Sequence, residues 1–492
     1  MFVDGKNENL KGKTINAISW SVLLQSSSQL LNFIIGVFIA RLLTPDDFGL
    51  VAMVLVFVSF SQLFADLGFA AALIQREKIE NIHYISCFWL NVFIGLILSV
   101  TMFLSSDWVA RFYERTELLG ISQSLSILFL IVSASSVPRA KLVRNLNHKN
   151  IGIIEIVSNL TAGISAILLA LNGFSYWSLV FQLILLNVMR LVLIFYISNM
   201  PFAFLFSFSE LKKLLSFSST VFTTKLIREG TSQLDKLLVG KYIDSATLGL
   251  YSKAYSLMLF PIQNISRVIT NVMFPTFSKI QKDPDRVGSI FLKCIGCISL
   301  LTSPILLGIA TVAPHLIEVI FGKQWLGMST YLQFFCVLGL ILSVATVTGS
   351  VYLGLGRPDL QLKVNLFTQP LKIVCLGIGV TYGIEGLMFG FFVSFIISVF
   401  VTWSVAMRLI NMHIGHILKA ILPTMLISFL MAFTTWILDN LLFFNLSIVL
   451  RLFSCIVTGV ISYALFTHLF SPAAYKELKM IVSQKLSKRQ VK

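Results

Sequence analysis

The residue types best able to bind a charged ligand lie together in Thr224–Lys236, inside a stretch that is otherwise apolar from Leu215 to Gly240. At 100° per residue, a helix brings the polar side chains of this segment within about 120° of its circumference. Each charged side chain costs about 2.5–3.5 kcal/mol at the centre of a bilayer, so a membrane helix must turn it toward protein or water. The segment therefore predicts a helix that lines a polar cavity. Its polar face consists of Lys225, Arg228, Glu229, Ser232, Asp235 and Lys236.

The composition of the whole chain indicates a membrane protein. Its 492 residues are 56% hydrophobic and 12% charged, whereas soluble domains average about 25% charged residues. Long apolar runs without strict alternation favour a helical bundle over a transmembrane barrel. We predict an all-α polytopic membrane protein with about fourteen transmembrane helices. The predicted spans are 14–40, 48–74, 84–105, 118–137, 151–171, 177–198, 215–240, 248–273, 289–312, 329–352, 364–381, 387–408, 417–438 and 447–470.

Basic residues predict how these spans are oriented. The loops after even-numbered spans and both chain ends carry most of the 38 Lys and Arg residues. By the positive-inside rule, these loops and the two tails, 1–13 and 471–492, are cytoplasmic. The same asymmetry accounts for the net charge of +16 without a nucleic-acid partner, because a basic face meets anionic membrane lipids. The loops after odd-numbered spans hold only Arg41, Arg111, Arg115, Lys241 and Lys323.

The sequence predicts no metal, cofactor or catalytic site, and we expect no enzyme activity. All six cysteines lie in apolar spans, so disulfides between external loops are not expected. Cys294 and Cys297 share one helix face but have no second pair and no nearby His to complete a zinc site. Gly12-Lys13-Thr14 has the end of a phosphate-binding loop, but Asn7 occupies the first glycine position. Transport driven directly by ATP is therefore not expected.

An internal repeat divides the chain. Phe38–Met53 aligns without gaps to Leu238–Lys253, 200 positions further on, and the alignment pairs Gly49 with Gly249. Because each repeat holds an even number of spans, the two repeats have the same membrane topology and are expected to be related by an axis along the membrane normal. We predict two six-helix lobes, 14–200 and 214–410, followed by two helices over 417–470 that lie outside the repeat.

The repeat offset also predicts a counterpart of the charged stripe. Subtracting 200 from the stripe positions gives an uncharged polar face on the first span, formed by Gln25, Ser28, Gln29, Asn32 and Gly36. Two pseudo-equivalent helices that face one central cleft are the simplest geometry. The alternative is that small and polar residues on both helices only pack them against their neighbours.

Basic residues within the spans outnumber acidic ones, which favours an anionic cargo. Lys225, Arg228 and Arg267 are the first candidates to meet phosphate, since guanidinium groups match phosphate oxygens bidentately. Lys236 and Arg190 are further candidates. For Arg267 and Arg190 the alternative is contact with lipid headgroups.

Four acidic residues lie within the spans or at their edges, and Glu155 among them is expected to reach the membrane interface. The other three are Asp66, Glu229 and Asp235. They are candidates to carry a coupling proton or sodium ion. We favour a simpler interpretation for two of them, in which Glu229 pairs with Lys225 and Asp235 pairs with Arg228 along one helix.

Six motifs follow one another along the chain: A-R-L-L-T-P-D-D-F-G-L-V-A-M (40–53), F-A-D-L-G-F-A-A-A-L-I-Q-R (64–76), D-K-L-L-V-G-K-Y-I-D-S-A-T-L-G-L-Y-S-K-A-Y (235–255), Phe321–Leu326, Gly356–Leu360 and Tyr382–Gly386. Together they resemble the bacterial polysaccharide transport family of the multidrug/oligosaccharidyl-lipid/polysaccharide flippase superfamily. The resemblance covers nearly the whole chain and implies two six-helix lobes around a cleft with alternating access. It also implies export of undecaprenyl-diphosphate-linked oligosaccharides for O-antigen, capsule or exopolysaccharide. One departure is Asp235-Lys236, where the family often has Asp-Arg, which puts bidentate phosphate binding there in doubt.

Together these observations predict a flippase for a lipid-linked oligosaccharide in the bacterial inner membrane. Glycan polymerases and glycosyltransferases are its expected protein partners. The alternatives are an ion-coupled multidrug antiporter of the same superfamily, a membrane glycan polymerase or ligase, and an assembly subunit that transports nothing. The antiporter is expected to have an acidic cavity. A polymerase or ligase needs a larger external surface than the loops Ser106–Glu117 and Ala313–Met328 provide.

The charged stripe generates the first testable prediction. Neutralising Lys225 and Arg228 together should abolish surface glycan, because the head group would lose its phosphate-binding cations. Membrane insertion of the variant should be intact. Surface glycan and membrane-inserted protein are measured in the same cells, and normal glycan in this double variant would contradict the cavity assignment.

Overall fold

The computed structural model describes residues 24, 26–66, 68–75, 79–200, 203–209, 211–212, 231–477 and 479–480. Within this part, the side chains of 60–66, 75, 267 and 271 are not described. The chain forms two compact units, Met1–Gly249 and Leu250–Lys492, called here the first and second unit. The predicted lobe boundaries at 14–200 and 214–410 stay predictions.

Every regular element among the described residues is helical. The first unit contains α1 (Ser26–Leu42), α2 (Pro45–Asp66), α3 (Phe69–Gln75), α4 (Asn81–Leu104), α5 (Ser106–Tyr113), α6 (Glu117–Leu125), α7 (Ile127–Arg144), α8 (His148–Leu171), α9 (Tyr176–Ser198) and α10 (Leu234–Tyr242). Helix α11 (Ser245–Lys279) begins in the first unit and continues into the second. There it is followed by α12 (Pro284–Thr311), α13 (Ala313–Ile320), a 3₁₀ turn (Lys323–Trp325), α14 (Met328–Ala345), α15 (Thr348–Gly354), α16 (Pro358–Val380), α17 (Gly383–Leu409), α18 (Ile414–Leu441) and α19 (Ile448–Phe470).

The helices confirm a multi-span, all-α membrane protein. In the described residues, nine helical stretches are long and apolar enough to cross a membrane by length and composition. The shortest of the nine have 23 residues, and at a rise of 1.5 Å per residue they exceed a hydrocarbon core of about 30 Å. The number fourteen stays a prediction.

The two aligned segments of the repeat have the same helix break. Helix α1 ends at Leu42 and α2 begins at Pro45, while α10 ends at Tyr242 and α11 begins at Ser245. Both helix starts are capped by one threonine and one aspartate in exchanged positions: Thr44 and Asp47 before α2, and Asp244 and Thr247 before α11. The offset of 200 in the sequence therefore corresponds to an equal offset in the backbone.

Both helix starts are capped by a threonine and an aspartate. Before α2, the Thr44 amide and hydroxyl donate to Asp47 Oδ2 at 2.9 and 2.7 Å. Before α11, the Thr247 amide donates to Asp244 Oδ1 at 2.6 Å and its hydroxyl donates to Oδ2 at 2.7 Å. A carboxylate at this position satisfies amides that the first turn leaves unpaired.

Paired glycines let these two helix starts touch through their backbones, within the first unit. A β-carbon built on Gly49 would lie 1.7 Å from the carbonyl oxygen of Ser245, and one built on Gly249 would lie 2.0 Å from the carbonyl oxygen of Pro45. Neither position has room for a side chain. The aligned glycines are therefore required by the close approach of the two backbones.

Two short helices occupy the regions expected to be the longest external loops. Helices α5 and α13 have eight residues each and bury one face, with Val109 and Tyr113 in α5 and Ile317 in α13. On the outer face of α5, Arg111 and Asp107 form an ion pair at 2.7 Å. Helices α5 and α13 are shorter than a membrane span, so hydropathy alone did not identify them.

In the second unit, a buried ion cluster joins α13, α18 and α19. Asp439 accepts hydrogen bonds from Arg451 Nη2 at 3.0 Å and pairs with His315 Nε2 at 2.9 Å. The Asp439 side chain is 11% exposed. Because both partners come from other helices, Asp439 fixes the ends of α18 and α19 relative to α13.

The backbone contact at the helix starts predicts opposite effects of the same substitution at two glycines. Gly49→Ala should destabilise the protein by about 1–3 kcal/mol, since a buried backbone must move to admit the methyl group. Gly377→Ala is the matched control, because no atom lies within 4 Å of its added carbon. There the protein should gain about 0.5–1 kcal/mol, the usual difference between Ala and Gly inside a helix. Thermal unfolding of the two purified variants in detergent measures both effects; equal stabilities would contradict the prediction.

Candidate functional site

The predicted site residues differ in how far the structure describes them. Gln25, Lys225, Arg228 and Glu229 lie outside the described residues. Asp66 is the last residue of α2 and Arg267 lies within α11, but neither side chain is described. The remaining candidates can be placed, and they are Arg190, Gln29, Asn32, Asp235 and Lys236.

Arg190 forms an ion pair inside the first unit. Its Nη2 lies 2.6 Å from Oε2 of Glu155, and Nη2 of Arg139 lies 3.8 Å from the other carboxylate oxygen. The three side chains come from α9, α8 and α7 respectively. Two guanidinium groups thus face one carboxylate, and the group, called here the arginine–glutamate cluster, carries a net positive charge.

The α8–α9 hairpin positions this pair. The two helices are joined by the turn at Asn172 and Gly173, where Gly173 has a φ of 81°. A φ of this sign favours glycine, because other residues are strained there. Glu155 and Arg190 lie at equal distances along the chain from the turn, so antiparallel packing brings them to the same level. The sequence predicted Arg190 as a site residue without its partner. The equal spacing of Glu155 and Arg190 from the turn was the signal that could have identified Glu155.

The arginine–glutamate cluster is shielded but not closed. The side chains of Arg190 and Glu155 are 29% and 21% exposed, whereas that of Arg139 is 56% exposed. Among the described residues, the buried Nε of Arg190 has no hydrogen-bond partner. After pairing with Glu155, Arg190 therefore retains one buried hydrogen-bond donor that the described residues leave unsatisfied.

The polar face of α1 lies against the same helix. Asn159, one turn after Glu155 on α8, donates to Ser28 Oγ at 3.2 Å. Ser28 is buried, Gln29 is half-buried and Asn32 is exposed. The side-chain oxygen of Gln29 is buried without a hydrogen-bond partner in the described part of the chain.

Helix packing accounts for only part of this face. Ser28 bonds to α8, as the packing interpretation requires. By contrast, the amide of Asn32 is exposed, and the buried oxygen of Gln29 has no hydrogen-bond partner among the described residues. In the first unit the polar residues of α1 and the arginine–glutamate cluster therefore flank one face of α8.

Asp235 and Lys236 lie in the first turn of α10. Asp235 is buried and Lys236 is half-buried. An acidic residue at this position is favoured by the positive end of the helix dipole.

A second polar group, called here the external clasp, lies at the end of the first unit that the positive-inside rule predicts to be external. Arg115 Nη2 donates to Asp46 Oδ1 at 2.9 Å and to Ser245 Oγ at 2.6 Å. The Ser245 hydroxyl also donates to Asp46. These contacts join the start of α2 to the start of α11, beside the glycine contact described above.

The other aspartate of the T-P-D-D motif has a separate role. Asp47 accepts from the hydroxyl of Ser175 and from the amide of Tyr176 at 3.1 Å. It thereby caps α9 as well as its own helix. In the sequence, Arg115 is one of five basic residues in the predicted external loops. The scarcity of basic residues in those loops was the available signal for the external clasp.

A second ion pair lies beside the clasp. Lys241 Nζ is 2.8 Å from Glu114 Oε1 and 5.4 Å from the centre of the Phe112 ring. The hydrogen bond and positive charge of Lys241 hold the pKa of the Glu114 carboxyl below its usual range. Because the folded-state pKa is lowered, the contact is fully formed above the ordinary carboxyl pKa and is lost as the pH falls through the lowered one.

Comparisons with known proteins agree with this architecture. A family model described as a polysaccharide biosynthesis protein matches residues 38–330. The chain is 27% identical over 407 residues to the lipopolysaccharide biosynthesis protein WzxC of Escherichia coli (strain K12), covering 81% of this chain and 82% of that protein. It is 28% identical over 319 residues to the succinoglycan biosynthesis transport protein ExoT of Rhizobium meliloti (strain 1021), covering 64% of each.

The fold is also that of a solved structure. The lipid II flippase MurJ, in an inward closed conformation, superposes with a TM-score of 0.76 at 17% sequence identity. The superposition covers 94% of this chain and 99% of that one. At this identity the likeness shows the fold alone.

The arginine–glutamate cluster predicts unequal effects of removing its two cations. Arg190→Gln should destabilise the protein by about 1.5–3 kcal/mol, because it removes a hydrogen bond to a charged group and leaves Glu155 shielded from water. Arg139→Gln should change stability by less than about 1 kcal/mol, since that pair is longer and more exposed. Thermal unfolding in detergent measures both, and a larger loss for Arg139→Gln would show that the assignment of the main partner is wrong.

Proposed function

The chain belongs to the polysaccharide biosynthesis protein family, and we propose that it is a flippase for lipid-linked oligosaccharide in a bacterial inner membrane. Two observations support transport rather than sugar chemistry. One relative is named as a transport protein of succinoglycan biosynthesis. The fold matches that of a lipid II flippase almost end to end, and it is built from helices long enough to cross a membrane.

The observation that carries the proposal is the arginine–glutamate cluster. A diphosphate link between lipid and sugar is an anion that must cross a low-dielectric region, where an unpaired charge is costly. Arg190 and Arg139 exceed the charge of Glu155, and Arg190 retains an unsatisfied donor. When a phosphate replaces the Glu155 carboxylate on Arg190, the charge of the Arg190 guanidinium stays neutralised before and after the exchange.

The sugar would use the polar face of α1. Gln29 and Asn32 offer amide groups that donate to and accept from hydroxyls. The polyprenyl chain would stay in the surrounding lipid, because transferring it into a polar cavity costs the hydrophobic free energy of the whole chain. We propose that Gln25 completes this face.

Further cavity residues are proposed from the sequence. Lys225, Arg228, Lys236 and Arg267 would extend the cationic path beyond the arginine–glutamate cluster. We propose that the acidic residues Asp66, Glu229 and Asp235 pair with these cations when no cargo is bound.

We propose that the external clasp takes part in alternating access. Its bonds from Arg115 to Asp46 and Ser245 hold two helix starts together at one end of the path. Release of the cargo at that end would require these bonds to break and to form again afterwards. They are exposed, with the Arg115 side chain 37% exposed, and exposed ion pairs contribute little free energy. Such a contact is suited to repeated opening.

The proposed orientation follows from the charge distribution. Both termini would be cytoplasmic, and the cargo would be loaded at the cytoplasmic end, where most basic residues lie. The expected partners are the glycosyltransferases that build the oligosaccharide and the polymerase that receives it. A multidrug antiporter for cationic drugs would need an anionic site, whereas the arginine–glutamate cluster is cationic.

Reconstitution tests the proposed function. Proteoliposomes that contain the purified protein and a fluorescent polyprenyl-diphosphate sugar should expose the labelled lipid in both leaflets, as measured by chemical quenching from outside. Arg190→Gln should slow this exchange about 10-fold to 100-fold, equivalent to about 1.5–3 kcal/mol for a hydrogen bond to a charged group. Arg190→Lys, which keeps the charge but loses the planar fork, should have an intermediate rate.

Two results would oppose the proposal. Exchange no faster than in protein-free vesicles would argue against a flippase. Sugar transfer between lipids, detected by chromatography of the recovered lipid, would point to a polymerase or ligase instead. Retained folding of each variant is checked by gel filtration.

A further inference from the structure

The segment between the two repeats is unusually rich in exposed aromatic side chains. Residues 203–209 read A-F-L-F-S-F-S and are called here the aromatic linker. Phe204 is 83% exposed, Phe206 57% and Phe208 66%, and Leu205 is 55% exposed. In water, apolar side chains of this size would be driven into contact with an apolar partner.

The backbone of the aromatic linker is held in place on α4. Trp89 Nε1 donates to the carbonyl oxygen of Ala203 at 2.8 Å, and the Ser207 amide donates to Ser86 Oγ at 3.0 Å. The Phe204 ring stacks on Trp89 with centroids 4.9 Å apart. The exposed side chains therefore project from a fixed segment rather than from a freely moving loop.

The linker is bound near the start of a helix that is long and apolar enough to cross a membrane. Helix α4 begins at Asn81, and at 1.5 Å per residue Ser86 and Trp89 lie about 7 and 12 Å along it. Apolar groups of interfacial segments lie about 5–10 Å into the boundary between headgroups and acyl chains. A tryptophan whose ring nitrogen is hydrogen-bonded is also typical of this level.

Basic residues surround the same end of the unit. Lys141 Nζ donates to the carbonyl oxygen of Asn199, at the end of α9, at 2.8 Å. Arg144 Nη1 donates to the carbonyl oxygen of Leu73 at 2.6 Å, and Lys212 is exposed directly after the linker. Aromatic groups flanked by cations match a surface of acyl chains and anionic headgroups.

We propose that the aromatic linker is an interfacial anchor that inserts Phe204, Phe206 and Phe208 into the leaflet at this end of the protein and recruits anionic phospholipid. The lipid surface is favoured over a protein partner by two features. The linker is bound near the start of α4, a helix long enough to cross a membrane. Basic residues also outnumber acidic ones close to it, with Lys141, Arg144 and Lys212 against Glu80 and Glu210. The inference does not depend on what the protein transports.

Photo-crosslinking tests this proposal in the full-length protein. Phe206 is replaced by p-benzoylphenylalanine, which preserves the aromatic ring, and the protein is illuminated in vesicles of phosphatidylethanolamine and phosphatidylglycerol. Two matched positions serve as controls. Phe433 lies in the span α18 and is 58% exposed, and Lys282 is exposed in a polar loop between α11 and α12. Mass spectrometry of the protein identifies the captured molecule.

The expected result is a lipid adduct at position 206 in several-fold higher yield than at position 282. The adduct should contain a larger share of phosphatidylglycerol than the adduct at position 433. Lys212→Gln combined with Lys141→Gln should remove that enrichment and leave the total yield unchanged. Illumination in intact cells should give the same lipid adduct.

Three results would overturn the proposal. One is a yield at position 206 that equals the yield at position 282 while position 433 reacts with lipid, because this would place the linker in water. Another is capture of a protein in cells in place of lipid, which would make the linker a docking segment. A lipid adduct without enrichment of phosphatidylglycerol would contradict the recruitment of anionic lipid.

Discussion

The structure depends on one constraint: charged groups within membrane-spanning helices must be neutralised by groups of the protein itself, because hydrocarbon cannot solvate them. Each unit contains an instance. In the first unit Glu155 meets Arg190 across the α8–α9 hairpin, and in the second unit Asp439 meets Arg451 and His315. The two clusters differ in net charge and in how fully their hydrogen bonds are satisfied. Among the described residues, the arginine–glutamate cluster has a surplus of positive charge and an unsatisfied donor, whereas Asp439 is paired with both Arg451 and His315. This difference separates a candidate cargo site from a structural one.

The repeat aligns Phe38–Met53 with Leu238–Lys253, and differences between these two segments create the polar contacts of the external clasp. Gly49 and Gly249 are equivalent and permit the same close backbone approach from both sides. Their neighbours are not equivalent, since Asp46 aligns with Ala246 and Asp47 aligns with Thr247. As a result, only the first repeat supplies the carboxylate that holds Arg115 and Ser245. The polar contact therefore occurs once, beside a glycine packing to which both aligned segments contribute.

Three short segments lie outside the long helices, namely α5, α13 and the aromatic linker. Helices α5 and α13 are too short to span a bilayer, and each buries one apolar face on the unit to which it belongs. The aromatic linker does the reverse, because its backbone is bound to α4 and its side chains point away from the protein. Both solutions follow from the same physics. An apolar side chain at the boundary is stabilised either by the protein or by the acyl chains beside it.

The sequence by itself determined the helical class, the approximate positions of the spans and the repeat. Hydropathy is a local property that adds along the chain, so an apolar run such as Asn81–Leu104 is recognisable without its neighbours. The gapless alignment likewise pairs the predicted connections 41–47 and 241–247, where the helices do end and begin with an offset of 200. The polar face of α1 was also visible, because helical periodicity places its residues together.

Tertiary structure alone decided which charges meet. Glu155 was one of several acidic residues in the spans, and only the packing of α8 on α9 made it the partner of Arg190. Asp46, Arg115 and Ser245 are far apart in sequence, and their contact depends on two glycines that allow two backbones to touch. Pairing between distant side chains is set by the geometry of packed helices, which periodicity along one helix does not contain.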